Sequence, residues 1–396
     1  MVGQGALLVV LALMNSGFVL TAQQTSTTPP TLSEITAEQV RTSVDTLGSL
    51  EFPVRTAAAR TIRRASAAIA VPELMRAVTA HTDEYVRFRA LVVLSGFNDA
   101  RTRELMLKVL TDRNDRIRAV AYSWFEHHPD PGVLPRLLQA LDREESEFVR
   151  PALTRALTAY GNDPKVRELM THLVMKGHDL FRAAVIEALG QHHAAYALKP
   201  ITEVAKLDGP LQDDAVLAIG RLGDKRGLET LAALQRTAPR ALQPLIAAAI
   251  CLLGSNCSSH EGFMEQTLKF AIENPGFQPL LRSAASGLGA LAIAGNRDAL
   301  DALITRGVPA RDPERAPLAL ALGTVAIGNT PLLLKALEVQ TVPVPAIDLL
   351  RDAFDMLEED LEEERFFALV RRTYWEAPEG SPTRRIAEAL IQRLEF

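Results

Sequence analysis

Ten times along the chain an apolar run closes on a short residue that opens the next run. The rungs are Ser66, Asp99, Asp130, Asp163, Ala194, Asp224, Asn256, Asn296, Asn329 and Asp360. Successive steps lie between 30 and 33 residues, apart from one of 40 between Asn256 and Asn296. All but Ala194 are Ser, Asp or Asn, whose side chains accept from the free N–H groups of a helix start. Gly161, Gly223, Gly254, Gly295 and Gly328 stand just before rungs, where a left-handed residue can end a helix. A period of this length means stacked supersecondary units rather than one closed core.

Two helices fit in each period. Residues 131–141 carry apolar side chains at helical spacing, and 148–157 do so again after a turn. Aromatics make up only 5% of the chain, which suits helices better than strands. The second helices share a register mark: Val54-Arg55, Val86-Arg87, Ile117-Arg118, Val149-Arg150 and Phe181-Arg182. Glu84, Asp115, Glu147 and Asp179 stand three residues before the last four arginines, so each is expected to favour the helix dipole and to pair at i, i+3. Past Gly209 the mark fades and the second helices become more purely apolar. The 40-residue step predicts an insertion near 257–273, and 380–394 reads as a terminal capping helix.

On the Val-Arg pairs and the Asp/Asn rungs, over roughly Ser49 to Asp360, the repeats resemble HEAT repeats. They are most similar to the short variant of about 31 residues typified by phycobilin-lyase-type HEAT-like proteins. The resemblance implies an all-α, right-handed α-solenoid of about ten helix-turn-helix repeats over 35–396. It is strongest in the first five repeats.

The N-terminal segment is expected to be something else. Ala6 to Met14 is an unbroken apolar run, and small residues follow near Ala22. Residues 1–22 therefore read as a secretory signal peptide and 23–34, Pro-ended and polar, as a spacer. The run is short for a membrane span, so an uncleaved anchor is the lesser alternative. On this reading the mature chain is periplasmic or extracellular and has no membrane span. Cys251 and Cys257, the only cysteines, could then close one small loop.

No phosphate-binding loop, haem-attachment motif or metalloprotease motif is present in the sequence. Deoxyhypusine hydroxylase, a HEAT-like enzyme, holds two irons with repeated His-Glu dipeptides. This chain has one such dipeptide, His260-Glu261. His127-His128 and His192-His193 each end a second helix, 65 residues apart. Neighbours on a helix point about 100° apart, so neither pair by itself makes a good chelate. No catalytic, cofactor or metal residue is assigned, and the chain is expected not to be an enzyme.

The net charge of −5 argues against a nucleic-acid partner. Its distribution is uneven. Residues 41–120 hold 14 Lys/Arg against 9 Asp/Glu, whereas 341–396 hold 7 against 13. Oppositely charged ends could orient a partner or stack chains head to tail. The expected function is non-catalytic protein or peptide binding, or scaffolding, on the concave face, in the bacterial cell envelope. Arg87, Arg118, Arg150 and Arg182 are candidate partner contacts on that face, although they could instead bond between repeats. Trp124 is a candidate anchor, with Trp375 and Tyr374 the other large aromatics. The rival expectations are a metal-binding or enzymatic protein using the His-bearing turns, and a self-assembling structural protein. Neither the partner nor the oligomeric state is legible.

Overall fold

The computed structural model describes residues 35–357 and 360–396. Residues 1–34, read from the sequence as signal peptide and spacer, lie outside the described residues. Every regular element among those described is helical, with 22 α-helices and two short 3-10 turns. Ten consecutive pairs build the array. They begin with α1 (Ala37–Thr46) and α2 (Phe52–Arg64), α3 (Ala67–Ala80) and α4 (Glu84–Ser95), and α5 (Thr102–Val109) and α6 (Asp115–His127). Next come α7 (Leu134–Leu141) and α8 (Arg150–Thr158), α9 (Pro164–Leu173) and α10 (Asp179–Gln191), and α11 (Leu198–Ala205) and α12 (Gln212–Arg221). The last four pairs are α13 (Gly227–Thr237) with α14 (Gln243–Leu252), α15 (Cys257–Glu273) with α16 (Gln278–Ile293), α17 (Arg297–Gly307) with α18 (Arg315–Gly328), and α19 (Thr330–Glu338) with α20 (Val344–Phe354). Two helices follow, α21 (Asp360–Glu376) and α22 (Pro382–Arg393). The fold is an all-α helical repeat solenoid.

The rungs start helices as their chemistry predicts. Asp99, Asp130, Asp163, Asp224, Asn296 and Asn329 each accept from a backbone N–H two or three residues ahead. Ser66 and Asn256 stand at helix starts without that bond. Asp360 departs from the pattern, because it begins α21, which is not the first helix of another pair. Gly223, Gly254 and Gly295 take positive φ at helix ends; Gly161 and Gly328 do not. The 257–273 segment forms α15 in full, so the extra residues lengthen a first helix.

Arginines of the second helices stitch four of the first five pairs together. Arg87 Nε donates to the carbonyl of Val78, and Arg182 Nε to that of Val174, satisfying acceptors at the end of the preceding helix. Arg55 and Arg118 donate to carbonyls of the intervening turn in the same way. Of the i, i+3 pairs expected from sequence, Asp179–Arg182 forms at 3.2 Å. Arg87 and Arg118 instead reach one repeat onward, to Asp112 and Glu144, while Glu84 pairs with Arg113.

From α6 to α20 the second helices pack closely on one another, far more so than the first helices do, whereas at the start of the array α1 and α3 pack together more than α2 and α4. Small residues permit this in the later repeats. A Cβ on Gly190 would press on Ala218, one on Gly220 on the backbone of Ala249, and one on Gly323 on Ala353. Helix α21 packs against α4, α6 and α18 together. Helices so far apart along the array can share one neighbour only if the second-helix layer curves around it. That layer is therefore the concave one.

Candidate functional site

The concave face is built by second helices, and α21 crosses it. Its first turns carry Asp360, Glu362 and Glu364, which meet the basic side chains of the first three repeats. Arg89 of α4 pairs with Asp360. Arg63 of α2 donates through Nε (2.9 Å) and Nη2 (2.5 Å) to Glu364, whose other oxygen takes 3.1 Å from Arg371. Glu364 is fully buried. The guanidinium of Arg63 also lies over the ring of Phe367, which stacks on Phe396. Arg60 reaches the penultimate residue, Glu395. The opposite charges of the two ends thus meet within one chain, and the head-to-tail stacking that they suggested loses its main attraction.

Gly96, the residue after α4, makes room for this contact. A Cβ there would collide with the Glu364 carboxylate and press on Arg371. Loss of bulk hydration lowers the Arg371 guanidinium from its ordinary value, only partly offset by Glu364.

A second polar cluster sits where α6 and α10 end. His127 Nε2 lies 2.6 Å from Glu362 Oε1, and His192 Nε2 lies 3.1 Å from Glu126 Oε1. Arg365 of α21 contacts both His127 and Glu362. Burial works to raise the Glu362 carboxyl, but its bonds to His127 and Arg365 outweigh that and hold it below the usual range. The outer members of both histidine pairs turn away. His128 stacks on Trp124 and bonds its own helix, and His193 bonds the carbonyl of Arg221.

Further along the concave layer, Glu187 of α10 and Asp213 and Asp214 of α12 are exposed, with Arg282 of α16 near enough to act on Asp213. These carboxyls are open to solvent yet ringed by protein. Loss of bulk hydration, then Glu187 and Asp213, push Asp214 up to about 6. Arg221 is lowered chiefly by the same loss of hydration.

The side chains named from sequence are placed as follows. Arg87, Arg118 and Arg182 are engaged in the stitching described above, and Arg150 lies 4.5 Å over the ring of Phe181. Trp124 is 9% exposed in the core and cannot anchor a surface contact, whereas Trp375 is 71% exposed. Cys251 and Cys257 are joined in a disulfide. Sequence reasoning missed Gln212, Gln243 and Arg315, which hold the arginine's register in the later repeats. Gln212 donates to Ala205, Gln243 to Gln235 and Ala238, and Arg315 to carbonyls of the preceding turn and to Asp352. A search for any long donor at that register, rather than Val-Arg, would have found them. The acids of the concave face carried no comparable signal.

The family model of HEAT repeats matches residues 44–124 and 106–190, the first five helix pairs. No curated protein matches the sequence. Among solved structures, a chain is similar to the complex of CpcE and CpcF of phycocyanin lyase from a Nostoc species, at a TM-score of 0.41 and 16% identity. The match covers 65% of this chain and 95% of that one.

Proposed function

We propose that this chain is a non-catalytic interaction or scaffolding module that holds a protein or peptide segment on its concave face, in the bacterial cell envelope. One observation carries the reading: the face already holds a helix. Helix α21 is seated there by ion pairs to the first two repeats, by the His127–Glu362 hydrogen bond to the third, and by aromatic packing at Phe367. A layer that binds one charged helix from its own chain has the shape and donors to take another segment beside it.

The chemistry of that second segment follows from what α21 leaves open. Glu187, Asp213 and Asp214 present a negative group on α10 and α12, and Arg221 and Arg282 only partly offset it. A segment bearing Lys or Arg complements this stretch, and its docking would relieve repulsion among the three acids. The export reading draws support from the apolar run at Ala6–Met14 and from the Cys251–Cys257 disulfide, which suits an oxidising compartment. Among the described residues no single helix is long and apolar enough to cross a membrane.

The test is capture from solubilised envelope extract on the immobilised chain, run beside the Asp213→Lys/Asp214→Lys variant and read by mass spectrometry. The reading expects a reproducible partner whose affinity falls at least about tenfold, or about 1.4 kcal/mol, on charge reversal. A partner retained equally by the variant would sink the acidic stretch as the site.

A further inference from the structure

We propose that Glu126, His127, His192 and Glu362 form a binding site for a divalent transition metal of the zinc class, which clasps α21 onto the concave face. The four side chains come from the end of α6, the residue after α10 and the first turn of α21. Donor atoms of Glu126, His127 and Glu362 all lie within 4.8 Å of one another, and His192 Nε2 is 3.1 Å from Glu126 Oε1. Four ligands on a tetrahedral zinc sit roughly 3.4 Å apart, from metal–ligand lengths near 2.0–2.2 Å. Glu126, His127 and Glu362 already stand close to that spacing, and His192, placed beside Glu126, would have to turn its Nε2 toward the ion to complete the set.

A separate observation points to a missing ligand. The Glu126 side chain is only 7% exposed, and its Oε2 has no hydrogen-bond partner within reach. Arg155 approaches that oxygen to 3.6 Å, an ion-pair distance beyond a hydrogen bond. A buried carboxylate oxygen left in this state costs free energy that a bound cation would recover. Two carboxylates and two imidazoles also supply mixed N/O donors, which suit zinc and its neighbours better than calcium or magnesium.

Arg365 is the competitor. It contacts His127 and Glu362, and it must leave for the ion to enter. Its side chain is 43% exposed, so it can swing into water without disturbing the core. The ion and Arg365 thus exchange for the same two ligands. This argument is independent of the docking reading above, since it concerns α6, α10 and α21 and no partner chain.

The experiment uses the full chain without a histidine tag, stripped with chelator and titrated with zinc chloride by calorimetry, with metal analysis after dialysis. The expected result is one zinc per chain, a melting temperature that rises with zinc, and at least about tenfold weaker binding in His192→Gln and His127→Gln. His128→Gln and His193→Gln should bind as the parent does. If His127→Gln fails to fold, the more peripheral His192→Gln decides alone. Substoichiometric binding to the parent, or affinity unchanged in His192→Gln, overturns the proposal.

Discussion

Arg63 and Glu364 are separated by 301 residues in the chain, and two guanidinium N–H groups of the first donate to one oxygen of the second, whose carboxylate is wholly buried. Arg371 completes the group from within α21 itself. One negative charge between two positive ones, out of water, is satisfied only while α21 stays seated. Breaking such a group strands charge in a dry place, which costs more than the contact itself contributes.

Glu364→Gln should therefore destabilise the chain by about 3 kcal/mol, since removing one partner of a buried pair typically costs 3–5. Denaturant unfolding measures it. A loss below about 1 kcal/mol would mean that Arg63 and Arg371 find water or new partners when the charge is gone.

Gly96→Ala tests the same contact from the other side. The added methyl meets a carboxylate that cannot retreat, because both its oxygens are held, and overpacking of this kind costs about 1–3 kcal/mol. The two substitutions should not add. In a double-mutant cycle with Glu364→Ala, the cost of Gly96→Ala should fall by at least about half a kcal/mol. Simple additivity would separate Gly96 from the seating of α21.

Arg118→Ala removes two bonds to Glu144, at 2.9 and 2.8 Å, and two to turn carbonyls. Glu144 is left buried without its cation, holding only the Ser146 N–H. Its carboxyl, which burial alone would raise, is held low by Arg118 and the Ser146 N–H, so the loss should be felt most above the ordinary carboxylate range. We expect about 2–3 kcal/mol at neutral pH, measured by chemical denaturation, and a smaller effect near pH 4. An equal effect at both values would assign the cost to packing.

Asp214 gives a pH prediction of opposite sign. Its carboxyl titrates near 6 in the folded chain against an ordinary 3.8, so the folded state holds the proton more tightly than the unfolded one. This group's contribution is most favourable below the unfolded value and is lost as pH rises between 3.8 and about 6. Asp214→Asn should accordingly leave stability unchanged in strong acid and increase it above pH 6. Thermal melts across that range check it; a variant less stable than the parent at pH 7 would show that Asp214 has a cationic partner.

The period, the helix pairs and most of the helix starts could be read from the chain because they are local. Asp163 and Asn296 cap helices that begin at the next residue, and Arg182 bonds a carbonyl eight residues back. The course of α21 could not be read this way. Its acidic first turn looks like another rung in the ladder, and nothing at Asp360 announces that its partner is Arg89, 271 residues earlier. The uneven charge along the chain was a faint trace of that meeting, legible as complementarity but not as a contact. The meeting of His127 with Glu362, and of His192 with Glu126, was hidden for the same reason. Adjacent histidines drew attention as pairs, whereas the structure uses one member of each.

The crossing of α21 also changes the order in which the array can be finished. A linear stack of repeats can nucleate anywhere and fray from either end, because each unit answers only to its neighbours. Here the first three repeats emerge from synthesis with Arg63, Arg89 and His127 still waiting for acids encoded after residue 359. Repeats made early are completed by a helix made much later, and the first three repeats and α21 should melt as a single unit rather than peel away one helix pair at a time.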